Sequence, residues 1–245
     1  MSKIYDALEQ ARKVRITADI PKEPSSASLS VDLSQGVRAG DVDMEQEMVT
    51  LYQMIAASLP DTDRHSVLFI GSKSNEGTST IARQLAKTVS LRMEKTVLLI
   101  DLDRSRPDLH VYAGLKPVED VGSETPTQTA LCQVEESSLY VMPLFQKTMM
   151  TPRTLDSAKG NAFWEPLKER FDLIIVDTPP ATMFPDGLAI VSQVDGVVLV
   201  VEAEKTRWQV ALNVREKIEK HGGNILGLVF NKRKLYIPDF IYKYL

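Results

Sequence analysis

A strand-like run ending at Ile70 and a helix-like run beginning near Ser79 are joined by Gly71-Ser72-Lys73-Ser74-Asn75-Glu76-Gly77-Thr78-Ser79-Thr80. Small and polar residues at such a junction suit a turn whose backbone N–H groups, together with a helix N-terminus, cradle phosphate. Gly77 lets the backbone approach the phosphate, and the Ser79 hydroxyl can reach Mg²⁺. A phosphate-binding loop of this type then places a lysine on the β- and γ-phosphates, whereas this chain has Thr78 at that position. The cradle is present without its point charge. A second element, Asp101-Leu102-Asp103, directly follows Leu98-Leu99-Ile100. Two carboxylates one residue apart at a strand end can hold a metal-bound water or accept a proton from a nucleophile, which makes Asp101 and Asp103 the candidate catalytic pair. The third element is Asp177, closing Leu173-Ile174-Ile175-Val176 and able to meet Mg²⁺ directly or through water. A lone strand-end aspartate commonly caps a helix or sits in a turn. Three of them behind a glycine-bearing loop point instead to one site.

The elements that must position these residues read as alternating strands and helices. Strands are expected at Ser66–Ile70, Thr96–Ile100, Leu139–Met142, Leu173–Val176, Gly196–Val201 and Ile225–Phe230. Several are unbroken branched apolar runs, as expected when helices cover both faces of a parallel sheet. Helices are expected at Met44–Leu59, Ser79–Arg92, Asn161–Arg170 and Thr206–His221, the last stopped by Gly222-Gly223. The fold class is therefore α/β, a doubly wound, mostly parallel sheet with helices on both faces and ligands at the carboxyl ends of the strands. Ahead of this domain, which is read as residues 44–245, residues 1–15 are expected to form an amphipathic helix, with Ile4, Ala7, Leu8, Ala11 and Val14 at helical spacing. Residues 16–43 carry prolines, serines and glycines and few large apolar side chains, the composition of a flexible linker.

With 245 residues, 43% of them hydrophobic and 25% charged, the chain is large enough for one such domain. A net charge of −4 gives no general attraction to nucleic acid, which is not expected as a partner. The single Cys132 rules out an internal disulfide, and His65, His110 and His221 show no zinc-ligand spacing. No apolar run reaches the length that spans a bilayer, and a cytoplasmic protein is expected.

Glu76-Gly77-Thr78-Ser79-Thr80, the stretch from Leu98 through Asp101 and Asp103 to Pro107-Asp108-Leu109-His110, and Ile174-Ile175-Val176-Asp177-Thr178-Pro179-Pro180 together resemble the CpsD/CapB bacterial tyrosine kinases of capsular and exopolysaccharide synthesis. The resemblance runs from about His65 to Arg233. It implies a P-loop NTPase fold like that of the partition ATPases, with the three elements as Walker A, Walker A′ and Walker B. It makes Ser79, Asp101 and Asp177 the Mg²⁺ positions and Asp103 the second Walker A′ carboxylate, with Arg106-Pro107 completing that motif and Asp186 following Walker B. Lys73, Asn75, Glu76, Gly77, Thr78, Ser79 and Thr80 become nucleotide-binding positions, and Asn231 the residue facing the purine. No aspartate stands two residues after Lys232, which favours adenine over guanine, so the implied cofactor is Mg-ATP or Mg-ADP.

The departures from the family pattern shape the functional expectation. Thr78 removes a cation from a reaction that depends on positioning and charge stabilisation. Lys73 resembles the signature lysine of the partition ATPases, which reaches a nucleotide across a dimer; a solvated loop lysine is the alternative. Thr50 and Gln53 stand where the family's oligomerisation helix carries arginines, which leaves homo-oligomerisation open. Tyr236, Tyr242 and Tyr244 lie in an aromatic and basic C-terminal tail, where packing on a partner competes with the family's use of such tyrosines as phosphorylation sites. The leading expectation is a kinase-like, nucleotide-binding regulatory protein with weak or absent ATP turnover. An active tyrosine autokinase and a nucleotide-free scaffold are the alternatives. The resemblance implies an inner-membrane polysaccharide chain-length and export protein as partner, and through it peripheral association with the membrane.

Overall fold

The computed structural model describes residues 29–32, 44–60, 63–102, 115–117, 131–143 and 158–234. The N-terminal helix expected at 1–15, most of the expected linker, Asp103, Arg106-Pro107 and the three tail tyrosines lie outside these residues. The described elements run β1 (Leu29–Asp32), α1 (Glu45–Ser58), β2 (His65–Gly71), α2 (Thr78–Arg92), β3 (Val97–Asp101), β4 (Leu115–Pro117), β5 (Cys132–Val134), β6 (Leu139–Pro143), α3 (Ala158–Arg170), β7 (Leu173–Asp177), β8 (Gly196–Glu202), α4 (Trp208–Lys220) and β9 (Ile225–Asn231).

The strands form one sheet in the order β1-β9-β8-β2-β7-β3-β6-β5-β4. Every pairing from β1 across to β6 is parallel, and β5 and β4 add an antiparallel edge. The all-apolar runs are the central strands because both of their faces are covered, and successive side chains alternate between the two faces. Val67, Phe69, Leu99, Ile175 and Val200 pack on one side with Met48, Leu51 and Ile55 of α1 and Ile81, Leu85 and Val89 of α2. Leu68, Ile70, Ile100, Val176 and Leu199 pack on the other with Trp164 and Leu167 of α3 and Val214 and Ile218 of α4. Each such buried side chain contributes about 1.5–3 kcal/mol, so the two layers fix the strands that carry the candidate residues.

From β2 the chain crosses through α2 to β3 on one side, whereas β7 leads to β8 on the other. The carboxyl ends of β2, β7 and β3 thus flank a crevice where the connections diverge, the usual ligand position of such sheets. At the opposite end, Asp172 Oδ2 accepts the Thr96 N–H and hydroxyl, both at 2.7 Å. Asp195 Oδ2 does the same for Ser66, again at 2.7 Å in both bonds. Each aspartate immediately precedes one strand and ties down the start of its neighbour. Burial pushes the Asp172 carboxyl up, but the Thr96 hydrogen bonds and the charges of Lys95 and Arg64 outweigh it and hold the group below its ordinary value. Beyond α4, Gly222 at φ +77° takes the left-handed turn, and the Gly223 N–H closes on Ile218 O at 3.0 Å, which ends the helix where the Gly-Gly pair predicts.

Two features differ from the sequence reading. Leu29–Asp32, inside the segment read as linker, is a strand paired in parallel with β9, from Leu29 opposite Gly227 to Asp32 opposite Phe230. The outer row of β9 N–H and C=O groups offers backbone partners to a chain with little apolar pattern of its own. The short strands β4 and β5 lie in a stretch that carries no strand signal, because three residues are too few to show a period.

Candidate functional site

Gly71 ends β2, Ser72–Gly77 turn, and Thr78 opens α2. What holds the turn is Glu76, 2% exposed. Its carboxylate accepts the Ser72 N–H at 2.6 Å, the Ser72 hydroxyl at 2.7 Å, the Lys73 N–H at 2.8 Å and the Thr206 hydroxyl at 2.5 Å. A buried carboxylate needs such bonds, and here they wrap the loop around it. Asn75 and Gly77 both have positive φ, 66° and 92°. Only glycine suits position 77, since a Cβ there would lie 2.0 Å from Asn231 Nδ2.

The segment after β7 braces the loop from its other side. The Ala181 N–H donates to Gly71 O at 2.9 Å, and the Thr182 hydroxyl to Ser72 O at 2.6 Å. Thr78, at the position of the absent lysine, is 8% exposed, and a Cβ on Gly71 would come within 2.5 Å of its Oγ1. Its side chain is thus packed back against the end of β2.

These elements enclose a cavity of about 510 Å³, within the usual range for small-ligand sites. The cavity is lined by the loop from Lys73 to Thr80, by Asp101 and Asp177, and by Thr178–Pro180, Met183, Phe184 and Lys232. Asp101 and Asp177 are directly opposite one another in the β3–β7 register, and the Leu102 N–H donates to Asp177 O at 3.0 Å. The structure therefore brings together Lys73, Asn75, Glu76, Gly77, Thr78, Ser79, Thr80, Asp101 and Asp177. Asp103 lies outside the described residues. Asp186 is not among the residues lining the cavity.

Asn231, expected to face a purine, is not among the residues lining the cavity. Its Nδ2 donates to Glu76 O at 2.8 Å, and its Oδ1 accepts the Lys232 N–H at 2.9 Å, so its amide is engaged on the backbone of the loop and of β9. Thr206 and Lys232 escape sequence reasoning as site residues. Lys232 Nζ donates to Asn75 O. The available signals were a threonine just ahead of a helix and a lysine following the strand-end asparagine.

Among the described residues no three His, Cys, Asp or Glu side chains cluster as a metal cage. Mg²⁺ does not require one, since it is commonly held by one or two carboxylates with phosphate oxygens and water. Two aspartates opposite one another in the register, lining the same cavity as Ser79 and a glycine-bearing loop, are a donor set of the kind a Mg²⁺–polyphosphate ligand uses.

No family model matches the chain. It is 28% identical over 165 residues to the tyrosine-protein kinase CpsD of Streptococcus agalactiae, covering 65% of this chain and 72% of that protein. It is 27% identical over 179 residues to the tyrosine-protein kinase YwqD of Bacillus subtilis, covering 71% and 75%. Among solved structures, the chimerical protein CapA2B2 shares the fold, with a TM-score of 0.66 at 22% identity over 80% of this chain and 87% of that one. The chain's curated relatives are thus bacterial tyrosine-protein kinases, and the family its motifs resemble, CpsD/CapB, is the one to which it is similar.

Proposed function

We propose that the protein is a kinase-like regulatory subunit of exopolysaccharide or capsule synthesis that binds Mg-ADP or Mg-ATP in this cavity with weak or absent turnover. The observation that carries the reading is the convergence of loop, Asp101 and Asp177 on one cavity whose lysine position is filled by a back-packed threonine. The loop amides and the α2 N-terminus would hold the phosphates, while Ser79, Asp101 and Asp177 would hold Mg²⁺, which neutralises phosphate charge. Without a lysine at position 78, the charge developing on a transferred phosphoryl group lacks its main protein cation. Binding state or association, rather than phosphotransfer, is then the output. The partner would be an inner-membrane polysaccharide chain-length and export protein, keeping this domain at the cytoplasmic face of the membrane. Among the described residues no helix is long and apolar enough to cross a bilayer.

Calorimetric titration of Mg-ADP into the wild type and Thr78→Lys tests this reading. Weak binding by the wild type, tightened about tenfold or more by the added charge, is expected. No binding by either protein at millimolar nucleotide would overturn it. A second reading, an active autokinase, is favoured by the kinase relatives and by Lys73 on the cavity wall. Phosphate found by mass spectrometry on Tyr236, Tyr242 or Tyr244 after incubation with Mg-ATP would establish that reading in place of the first.

A further inference from the structure

With threonine at the lysine position, the loop's own amides must do most of the work of holding an anion, and what orients them becomes decisive. Two successive loop carbonyls are gripped from the end of β9. Lys232 Nζ takes Asn75 O, and Asn231 Nδ2 takes Glu76 O at 2.8 Å. A trans peptide unit is planar, so its N–H points away from its C=O, and no described peptide bond is cis. Gripping those two carbonyls from the β9 side therefore holds the Ser74–Asn75 turn in place and turns the Gly77 N–H away from β9, at a residue that lines the cavity. The Glu76 N–H is turned back toward Lys73 O by the tight turn at Ser74–Asn75, and among the described residues the Gly77 N–H meets no acceptor. Positive φ at Asn75 and Gly77 curves this stretch into the type of concavity that successive amides use for anions.

The grip is itself anchored. Lys232 has φ 57°, and its ammonium lies 3.7 Å from Glu202 Oε2, on a side chain that is 16% exposed. The Glu202 N–H donates to Thr206 Oγ1 at 3.3 Å, and that hydroxyl donates to Glu76 Oε1, so the chain of contacts returns to the loop. Lys232 is 46% exposed, and its ion pair with Glu202 alone would contribute little. The bond to Asn75 O is the consequential one, since a cation on a carbonyl also polarises the peptide and strengthens its N–H as a donor.

We propose that Asn231 and Lys232 form a clamp that fixes the Asn75–Gly77 turn so that the Gly77 amide faces a polyanion, with Lys232 as a positioning residue acting through the Asn75–Glu76 peptide. The anion class follows from the nucleotide reading above, and the proposal rests on that reading for its ligand. The test is amide hydrogen exchange on the full, ligand-free chain, comparing wild type, Lys232→Met and Lys232→Arg. Lys232→Met is expected to speed exchange in the 71–80 segment about tenfold while β2 and β3 keep their protection, and Lys232→Arg to restore most of the loss. Unchanged exchange at 71–80 would overturn the clamp. So would an acceleration spread equally over β2 and β3, which would mark a general loss of stability. A local acceleration that Lys232→Arg leaves undiminished would overturn it too, because a cation on the carbonyl would not then be what holds the loop. Since exchange is read without nucleotide, failure of the wild type to bind Mg-ADP would remove the nucleotide reading and leave the clamp standing.

Discussion

Strand β7 has an aspartate at each end, and only the one at its carboxyl end lines the cavity. Asp172, just before the strand, is held by the Thr96 N–H and hydroxyl. Asp177, the last residue of the strand, is 5% exposed and lines a cavity of about 510 Å³, opposite Asp101 in the register. Asp195, ahead of β8, repeats the first arrangement with Ser66. At the amino end of the sheet each of these carboxylates locks two strands together. At the carboxyl end, Asp101 and Asp177 instead stand opposite one another in the register and line the cavity, where helix crossovers leave room for a ligand. Strand direction, rather than residue type, separates structural aspartates from candidate functional ones.

The sharpest way to break this comparison is to neutralise one aspartate of each type. Asp177→Asn should weaken Mg²⁺-dependent ADP binding by about tenfold to a hundredfold, as loss of a metal-side carboxylate does. Titration with and without Mg²⁺ gives the loss, and a thermal melt shows whether stability changes with it. A fall in melting temperature with unchanged Mg²⁺ dependence would place Asp177 with the structural aspartates.

The counterpart is smaller and opposite in kind. Asp172→Ala and Asp195→Ala each remove a carboxylate that accepts two hydrogen bonds and leave a backbone N–H without that acceptor. Each should cost about 1–3 kcal/mol in a denaturant titration. Nucleotide affinity should stay as in the wild type, because both sites lie at the far end of the sheet. Weakened binding with intact stability would erase the distinction between the two ends.

Much of this layout is legible in the chain before any coordinates. Leu173-Ile174-Ile175-Val176 and Gly196–Val201 can only be covered strands, and an aspartate closing such a run must emerge at the carboxyl edge. The glycine-bearing loop and the two aspartates therefore converge by topology alone. What stays illegible depends on contacts between distant parts of the chain. Thr206 reads as the start of α4, yet the helix begins at Trp208 because that hydroxyl serves Glu76, 130 residues away. Lys232 reaches Asn75 across 157 residues, and nothing local to either marks the pair. Strand β1 exists through its partner β9, so its own Leu29-Ser30-Val31-Asp32 alternation is hidden among prolines and serines.

The finest test uses acid. The Asp172 carboxyl is held below its ordinary value in the folded protein, so the unfolded chain binds the proton more readily. Its contribution is therefore complete above the unfolded-state value and is lost as pH falls through the lowered folded value. Asp172→Asn is the suitable probe, because both Thr96 bonds go to a single oxygen that an amide can still supply, so charge is removed with little change of shape. Wild type and Asp172→Asn should differ most in stability near neutral pH and converge as acid protonates the wild-type carboxylate. Melting temperatures measured from neutral pH down to the acid limb give the gap directly. A gap that stays constant with pH would mean that the charge on Asp172 is not what locks β7 to β3, and the amino end of the sheet would then be held by shape and neutral hydrogen bonds alone.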